Sequence, residues 1–192
     1  KTIDIIYEET ASYTCSLIFR IFYSNLGTID PWSKNSRMQF KNKSLLVIGT
    51  GNIGHRVADY MRPFMDVMTF DVLENNLLEI QEMICKADCI TIHIPKTDKN
   101  ICFLDKNKMA MMKDGAVLIN TARGGLVKEE DLVEALQKGY ISGAAFDVLT
   151  KEPIPDDHPF FKIIDRPNFI LTPHVSWASM EAMQILSDQL ID

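Results

Sequence analysis

Residues 45–71 read LLVIGTGNIGHRVADYMRPFMDVMTFD, and this stretch predicts a strand, a glycine-rich turn, a helix, a second strand and an acid. An apolar run ends at Gly49, and Gly51 and Gly54 complete the spacing Gly-x-Gly-x-x-Gly. Such glycines permit a tight turn, close approach of backbone N–H groups to a pyrophosphate, and close packing of the helix on the sheet. Because a helix N-terminus also favours phosphate, the stretch predicts a dinucleotide site.

The acid in this stretch bears on the choice of dinucleotide. Asp71 lies twenty residues after Gly51, at the predicted end of the second strand, where a carboxylate can bind ribose hydroxyls. Its charge would repel a 2′-phosphate, and no Lys or Arg follows among Val72, Leu73 and Glu74. The pattern therefore favours NAD over NADP. A glycine turn that binds no ligand is the alternative that the spacing alone leaves open.

Length and composition narrow the class of protein. The 192 residues can bury a core for one large domain or one and a half, and 46% of them are hydrophobic. The net charge of −6 argues against nucleic acid as the main partner. We find no signal peptide and no apolar run near the ~18 residues of a membrane span, so we expect a cytoplasmic protein. The chain begins Lys-Thr-Ile, without an initiator Met, and we expect an upstream part to be missing.

Four cysteines, Cys15, Cys85, Cys89 and Cys102, form no Cys-x-x-Cys pair and have no histidine at a metal-ligand spacing. We expect small buried side chains in a reducing compartment and no metal site.

The rest of the chain predicts an α/β protein. Residues Ile3–Tyr23 predict a well-buried helix, and residues 24–42, which contain Trp32, predict an extended connection. From Ser44 onward strands and helices alternate, which indicates a doubly wound parallel sheet. The predicted strands are 45–48, 67–70, 89–94, 116–120, 142–146 and 169–171, and the predicted helices are 53–61, 77–85, 106–111, 129–138 and 178–190.

Ligands of such a sheet gather where the strands end, so the residues after each strand carry the most information. The third to sixth strands are followed by His93-Ile94-Pro95-Lys96-Thr97, Asn120 to Gly125, Asp147 to Pro153 and Thr172-Pro173-His174. Arg123, Glu152 and His174 are thus expected at one edge. An arginine can hold a substrate carboxylate and polarise the adjacent carbonyl, a histidine can donate the proton, and a carboxylate can orient the histidine ring.

Each of these three residues also has an ordinary structural interpretation. Arg123 can be a solvated turn residue, Glu152 a carboxylate at a helix start, and His174 a hydrogen-bonded, partly buried histidine. His55, on the helix after the glycine turn, and His158, in a proline-rich loop, are expected to be structural or surface residues.

Five motifs in order, GTGNIG, HIPKT, INTARGGLV, AAFDVLTKEP and LTPHVSWAS, resemble the D-isomer-specific 2-hydroxyacid dehydrogenase family from about Lys43 to Ala182. The resemblance implies a Rossmann fold and NAD-dependent interconversion of a 2-oxoacid and a D-2-hydroxyacid. It implies that Arg123 binds substrate, that His174 is the acid/base and that Glu152 is its partner. Thr121 and Asp147 would lie near the nicotinamide, and Pro95 and Thr97 would line the cofactor cleft. The full set of implied cofactor residues is Gly49, Gly51, Asn52, Ile53, Gly54, Asp71, His93, Pro95, Thr97, Thr121, Ala122, Arg123, Asp147 and His174.

The resemblance also implies a domain organisation. Residues 1–176 would form the NAD-binding domain, with a leading helix at 1–23, the connection at 24–42 and the Rossmann core at 43–176. Residues 177–192 would lead back to a second, substrate-binding domain, most of which would be absent. A homodimer is implied, with the first helix and the connection around Trp32 against the partner. An extended segment with Trp32, Met38 and Phe40 also needs somewhere to bury apolar surface.

Two further points stay open at this level. The tail HVSWASMEA is similar to that of glycerate dehydrogenase and hydroxypyruvate reductase members. Formate dehydrogenases generally lack an acid at the position of Glu152, so the presence of Glu152 disfavours that activity. Corepressors that resemble the same family use NAD to control their assembly, and they keep all three catalytic residues. An NAD-sensing interaction protein is therefore the alternative to an enzyme.

Overall fold

The computed structural model describes residues 2–24, 27–28, 31–35, 38–71 and 77–191. The helices are α1 (Thr2–Phe22), α2 (Gly54–Met61), α3 (Leu77–Lys86), α4 (Lys106–Met111), α5 (Glu129–Lys138) and α6 (Met180–Ile191). The strands are β1 (Gly27–Thr28), β2 (Ser33–Lys34), β3 (Ser44–Ile48), β4 (Asp66–Phe70), β5 (Cys89–Ile92), β6 (Val117–Asn120), β7 (Gly143–Phe146) and β8 (Phe169–Leu171). Each helix and strand predicted from the sequence occurs within about two residues of its predicted bounds, which reflects the usual imprecision of element ends. A 3₁₀ helix at Pro159–Lys162 and the strands β1 and β2 were not predicted.

The central sheet has six parallel strands in the order β4-β3-β5-β6-β7-β8. Leu45 of β3 pairs with Val67 of β4 on one side and with Cys89 of β5 on the other. The direction of winding therefore reverses between β3 and β5, and ligands of open α/β sheets bind outside the strand ends at such a reversal. The predicted α/β class and doubly wound parallel sheet are confirmed.

Helices cover both faces of this sheet. One apolar cluster joins α1 and α2 to the sheet through residues such as Leu17, Val57 and Val47. The other joins α3, α4 and α5 to the opposite face through residues such as Ile84, Met109 and Leu132. Strands β5, β6 and β7 are buried along their whole length, as expected for parallel strands between two helical layers. The sheet is therefore rigid at its centre, where the loops of the candidate site begin.

Helix α1 is less buried than the sequence predicted. Its apolar face is deeply buried, but five polar residues at intervals of four form an exposed stripe: Asp4, Glu8, Ser12, Ser16 and Arg20. The prediction of a well-buried helix is wrong for this stripe, because α1 is an amphipathic helix on the outside of the sheet.

Two described apolar side chains of the connection after α1 pack within the same chain. Phe40 is 8% exposed, and its ring stacks on that of Phe22 with centroids 4.5 Å apart. Met38 packs against the same cluster, whereas Trp32 is 80% exposed. Phe40 and Met38 therefore do not need a partner to bury them, and only Trp32 remains of that reason for expecting a dimer.

The cysteine prediction holds for two of the four residues. Cys15 and Cys89 are buried, and burial raises the pKa of the Cys15 thiol to about 12. Cys85 is exposed and Cys102 is half-buried, so the expectation of four buried thiols is wrong. Cys85 directly follows the buried Ile84 on α3, and because adjacent helix residues point in different directions, its side chain lies outside the apolar stripe of that helix. Among the described residues, no helix has the length and apolar character that a membrane crossing requires.

A buried acid ties together the edge of the sheet opposite the candidate site. Asp88 Oδ1 accepts hydrogen bonds from Lys43 Nζ at 2.8 Å and Lys113 Nζ at 2.9 Å, and Oδ2 accepts from Ser44 N at 3.1 Å. Burial alone would raise the pKa of Asp88, but these hydrogen bonds outweigh it and lower the pKa to about 2. Asp88 is thus an ionised anchor for the loops that precede the strands.

Candidate active site

The glycine turn connects β3 to α2 at the point where the sheet reverses its winding. Gly49 N donates to Phe70 O at 2.7 Å, which fixes the turn against the end of β4. A Cβ on Gly54 would lie 1.8 Å from Gly49 O, so this position admits only glycine without a backbone shift. A Cβ on Gly51 would meet nothing within 4 Å, and Gly51 borders a large cavity. The turn therefore leaves open space at the glycine that is expected to approach the pyrophosphate.

Asp71 stands beside this turn, at the end of β4. Its Oδ2 accepts hydrogen bonds from Thr50 N at 3.0 Å and from Thr50 Oγ1 at 2.9 Å. The sequence predicted a ribose-binding acid but did not indicate Thr50, whose contacts fix the carboxylate beside the glycine turn. The expectation for Val72, Leu73 and Glu74 lies outside the described residues.

The large cavity has a volume of about 620 Å³ and lies along the carboxyl ends of β3, β5 and β6. Predicted cofactor or substrate residues that line it are Gly51, Asn52, Ile53, His93, Pro95, Thr121, Ala122, Arg123 and His174. Residues that were not predicted are Ile6, Tyr7, Thr10, Ile94, Lys96, Ser176 and Trp177. Thr97 is not among the lining residues, and its N–H donates to Asn100 Oδ1 at 2.7 Å in a local turn. The cavity brings together most of the predicted cofactor residues, with α1 as an additional wall.

Three hydrogen bonds shape the loop after β6. Asn120, which is 1% exposed, accepts from Ala122 N at 3.1 Å and donates to Arg123 O at 3.0 Å, so it holds the loop that carries Arg123. Thr14 Oγ1 donates to Thr10 O at 2.7 Å, so its oxygen is left to accept from Thr121 Oγ1 at 2.7 Å. In the sequence, only the spacing of Thr10 and Thr14, four residues apart on the predicted first helix, points to this link.

His93 is a neutral polar group in the wall of the cavity. Its Nε2 is 3.0 Å from Thr91 Oγ1, and its Nδ1 is buried without a hydrogen-bond partner among the described residues. Burial lowers the pKa of His93 to about 3, which keeps the ring uncharged at neutral pH. A buried nitrogen without a partner is costly, and it fits a wall completed by a ligand.

Glu152 and His174 form a direct pair at the rim of the cavity. His174 Nδ1–H donates to Glu152 Oε2 at 2.7 Å, and Glu152 Oε1 accepts from Leu149 N at 2.8 Å. Burial would raise the pKa of Glu152, but the hydrogen bonds from Leu149 and His174, with the charges of His174 and Arg123, hold it below its usual range. The pairing leaves Nε2 as the ring nitrogen that can exchange a proton with a substrate.

Asp147 holds the loop on which His174 lies. Its Oδ1 accepts from Thr172 Oγ1 at 2.6 Å and Val175 N at 3.0 Å, and its Oδ2 accepts from Ser176 N at 2.9 Å. The residue is 1% exposed. His174 itself has a positive φ of 55°, a conformation that such contacts on both sides of it can maintain. The sequence predicted Asp147 near the nicotinamide, and the structure adds this loop-anchoring contact.

Glu129 and His158 hold the loop on which Glu152 lies. Glu129 Oε1 accepts from Thr150 N at 2.7 Å and Thr150 Oγ1 at 2.9 Å, while its Oε2 lies 3.1 Å from His158 Nε2. Because Phe160 N donates to His158 Nδ1, Nε2 carries the proton that His158 donates to Glu129. His158 is thus a structural residue, as predicted, but sequence reasoning did not connect it with Glu129.

Arg123 lines the large cavity together with Gly51 and His174. It is exposed, and its Nη1 donates to Ala122 O at 2.6 Å. Its charge lowers the pKa of Glu152, which indicates proximity to that carboxylate. Three residues with the chemistry for anion binding and proton transfer therefore meet at one edge. Among the described residues there is no group of three or more side chains suited to hold a metal ion.

Comparison with known proteins decides the family. Residues 25–176 match the family described as D-isomer specific 2-hydroxyacid dehydrogenase, NAD binding domain. The chain belongs to this family. The match confirms the resemblance carried by the five motifs, and it assigns the six-stranded sheet to the NAD-binding domain of these dehydrogenases.

Individual members of the family span more residues than this chain. Glycerate dehydrogenase from Methylorubrum extorquens is 39% identical over 180 residues, which are 88% of this chain and 57% of that protein. D-Lactate dehydrogenase from Aquifex aeolicus, complexed with NAD and lactic acid, matches with a TM-score of 0.85 and 27% identity over 96% of this chain and 64% of that one. Acyclic imino acid reductase (Bsp5), in complex with NADPH and D-Arg, matches with a TM-score of 0.82 and 29% identity over 97% of this chain and 64% of that one. The chain thus spans less than two thirds of the length of each of these relatives.

Proposed function

We propose that the full-length protein is an NAD-dependent oxidoreductase that interconverts a 2-oxoacid and a D-2-hydroxyacid. The observation that carries this proposal is the 2.7 Å pair of His174 and Glu152, because His174 lines the same cavity as Arg123 and the glycine turn. This arrangement provides an anion-binding group, a proton donor and a cavity of about 620 Å³ beside the glycine turn within one cleft.

The residues around the glycine turn fit a dinucleotide. The open space at Gly51 admits a pyrophosphate, and α2 begins without a side-chain cap at Ile53, so its N-terminus can serve a phosphate. Thr50 fixes the Asp71 carboxylate beside the turn, and in this proposal that carboxylate binds the ribose hydroxyls. The wall at His93 has a nitrogen that lacks a protein partner among the described residues. When bound, the nicotinamide supplies or accepts the hydride.

His174 and Arg123 divide the remaining work. In reduction, His174 donates the proton at Nε2 to the substrate oxygen as that oxygen gains negative charge, and in oxidation Nε2 takes the proton from the hydroxyl. Glu152 holds the ring through Nδ1 and stabilises the protonated histidine. Arg123 holds the substrate carboxylate and polarises the neighbouring carbonyl with its planar, multiply donating guanidinium.

NAD is the cofactor that we propose, because Asp71 would repel the 2′-phosphate of NADP. The relatives include proteins bound to NAD and to NADPH, so the choice needs measurement. Titration of the protein with each reduced cofactor, followed by fluorescence, is expected to give tighter binding of NADH. Equal or tighter binding of NADPH would contradict the role of Asp71.

Among substrates we propose the glycerate and hydroxypyruvate pair, which the similarity to glycerate dehydrogenase supports. A panel of hydroxypyruvate, glyoxylate, pyruvate, 2-oxoglutarate and phosphohydroxypyruvate, with NADH oxidation as the readout, tests this choice.

We further propose a cytoplasmic homodimer in which the surface around Trp32 contacts the partner. A monomer in sedimentation would contradict the dimer.

The His174→Asn variant of the full-length protein tests the mechanism. We expect hydride transfer to fall below detection while the affinity for NADH stays largely intact, because the change removes a proton donor and leaves the glycine turn alone. Unchanged turnover would overturn the assignment of His174. A wild-type protein that recruits a partner protein and turns over no 2-oxoacid would instead support the NAD-sensing alternative.

A further inference from the structure

A second cavity, of about 250 Å³, opens beside the Glu152–His174 pair between the loops that follow β5, β6 and β7. Its polar lining residues are Lys96, Arg123, Thr150, Glu152 and His174. Arg123 and His174 also border the large cavity, as does Lys96. The two cavities therefore meet at the residues proposed to bind and reduce the substrate, and Lys96 is a cation at that junction with no role assigned to it.

Gly125 is a close neighbour of the Lys96 ammonium. A Cβ on Gly125 would lie 2.9 Å from Lys96 Nζ and 3.5 Å from Thr150 Oγ1. The backbone of Gly125 also has a positive φ of 81°, which disfavours any other residue there. Lys96 and Thr150 thus both border Gly125, and both line the cavity that Arg123 lines.

The charges that line this cavity do not balance. Glu152 is the one carboxylate in the lining, and both of its oxygens are already used by Leu149 N and His174. Within the part of the chain that the structure describes, Lys96 makes no ion pair, and Arg123 donates only to the carbonyl oxygen of Ala122. Two cations and one committed carboxylate leave the cavity positive, so it favours an anionic ligand.

We infer that Lys96 binds a second anionic group of the substrate, so that the preferred substrates are 2-oxoacids with a second carboxylate or a phosphate. This narrows the substrate proposed above: of the hydroxypyruvate skeleton, the phosphate ester is preferred over hydroxypyruvate itself. This inference rests on the proposed function, in which Arg123 takes the carboxylate next to the reacting carbonyl. An ammonium on a flexible stem is a point charge that accommodates either anion, whereas Arg123 provides the planar fork that a carboxylate needs.

Matched pairs of substrates test the inference in the full-length protein. Oxaloacetate and 2-oxobutyrate have the same four-carbon skeleton and differ in the second carboxylate, and phosphohydroxypyruvate and hydroxypyruvate differ in the phosphate. We expect wild type to favour the doubly charged member of each pair. Lys96→Met should lower that preference in kcat/KM by about tenfold to a hundredfold, the range for loss of one hydrogen bond to a charged group.

Two further variants complete the design. Lys96→Arg retains the charge and is expected to keep most of the preference. Lys99→Met removes an exposed lysine from the same loop and is expected to change neither the preference nor the affinity for NADH. A preference that Lys96→Met leaves unchanged would overturn the inference. So would a Lys96→Met protein with weakened NADH binding and an unchanged preference, because the lysine would then serve the cofactor.

Failure of the proposed function would be recognised separately. If wild type transfers hydride to none of the four acids, the proposed function fails, and the second anion site is then decided by binding. Succinate should raise the unfolding temperature of the NADH-bound protein more than butyrate does, and Lys96→Met should abolish that difference. Equal effects of the two acids on wild type would overturn the anion site itself.

Discussion

Removal of the Glu129 carboxylate should destabilise the fold and loosen the loop that carries Glu152. In Glu129→Ala, three hydrogen bonds of 2.7, 2.9 and 3.1 Å lose their acceptor. His158 is 6% exposed, so its donor stays buried without a partner, whereas Thr150 is exposed and can bond to water. A buried donor left without a partner typically costs about 1–3 kcal/mol. With the two hydrogen bonds of Thr150, which water partly replaces, we expect the free energy of unfolding to fall by about 2–4 kcal/mol.

Urea unfolding followed by circular dichroism measures this cost, and Glu130→Ala provides the matched control. Glu130 is the next residue of α5 and is exposed, so its removal should change the free energy of unfolding by less than about 0.5 kcal/mol. In the full-length protein we also expect Glu129→Ala to reduce kcat more than NADH affinity, because Glu152 lies two residues after Thr150. A free energy of unfolding equal to that of Glu130→Ala would refute the role of this contact.

Two further predictions concern the sheet and the glycine turn. The pKa of Asp88 is lowered to about 2, because hydrogen bonds from its lysine and serine partners outweigh the effect of burial. The ionised carboxylate therefore stabilises the fold fully above its unfolded pKa of 3.8, and this stabilisation is lost as the pH falls through about 2. Asp88→Asn should therefore lower the free energy of unfolding by about 2 kcal/mol at neutral pH, and the difference from wild type in urea titrations should shrink towards pH 2; a difference that does not depend on pH would contradict this. Gly54→Ala should lower the free energy of unfolding by about 1–3 kcal/mol, because the added Cβ clashes with the turn. Gly51→Ala should unfold like wild type but bind NADH more weakly in fluorescence titrations. Equal unfolding of the two glycine variants would show that the contact at Gly54 is unimportant.

Much of the fold could be predicted because its signals are local. Short apolar runs separated by amphipathic segments specify alternating strands and helices, and this alternation leads to a parallel sheet with helices on both faces. The buried patterns of β5, β6 and β7 agree with that prediction. Predictions failed where burial depends on a residue distant in sequence. Phe40 was expected to need a partner subunit to bury it, but its ring stacks on Phe22 of the same chain.

The candidate site shows the same division. The rule that ligands gather at strand ends selected Arg123, Glu152 and His174, and the structure brings them to one edge of the sheet. Lys96 lies in the loop after β5, but its local sequence predicts no role for it, because nothing there shows that its ammonium comes close to Gly125. Glu129 received no role for the same reason, since it precedes its partner His158 by 29 residues.

The sequence by itself determined the order and type of the α-helices and of the six strands of the central sheet, the glycine turn with its acid, and the family to which the chain belongs. Tertiary structure decided which side chains support these features, such as Thr14 of α1, which reaches Thr121 across 107 residues. Periodicity identifies the buried face of an element but not the element that covers it. Hydrogen-bond partners are chosen only when those faces meet, and for that reason the supporting contacts of the site are a property of the folded chain.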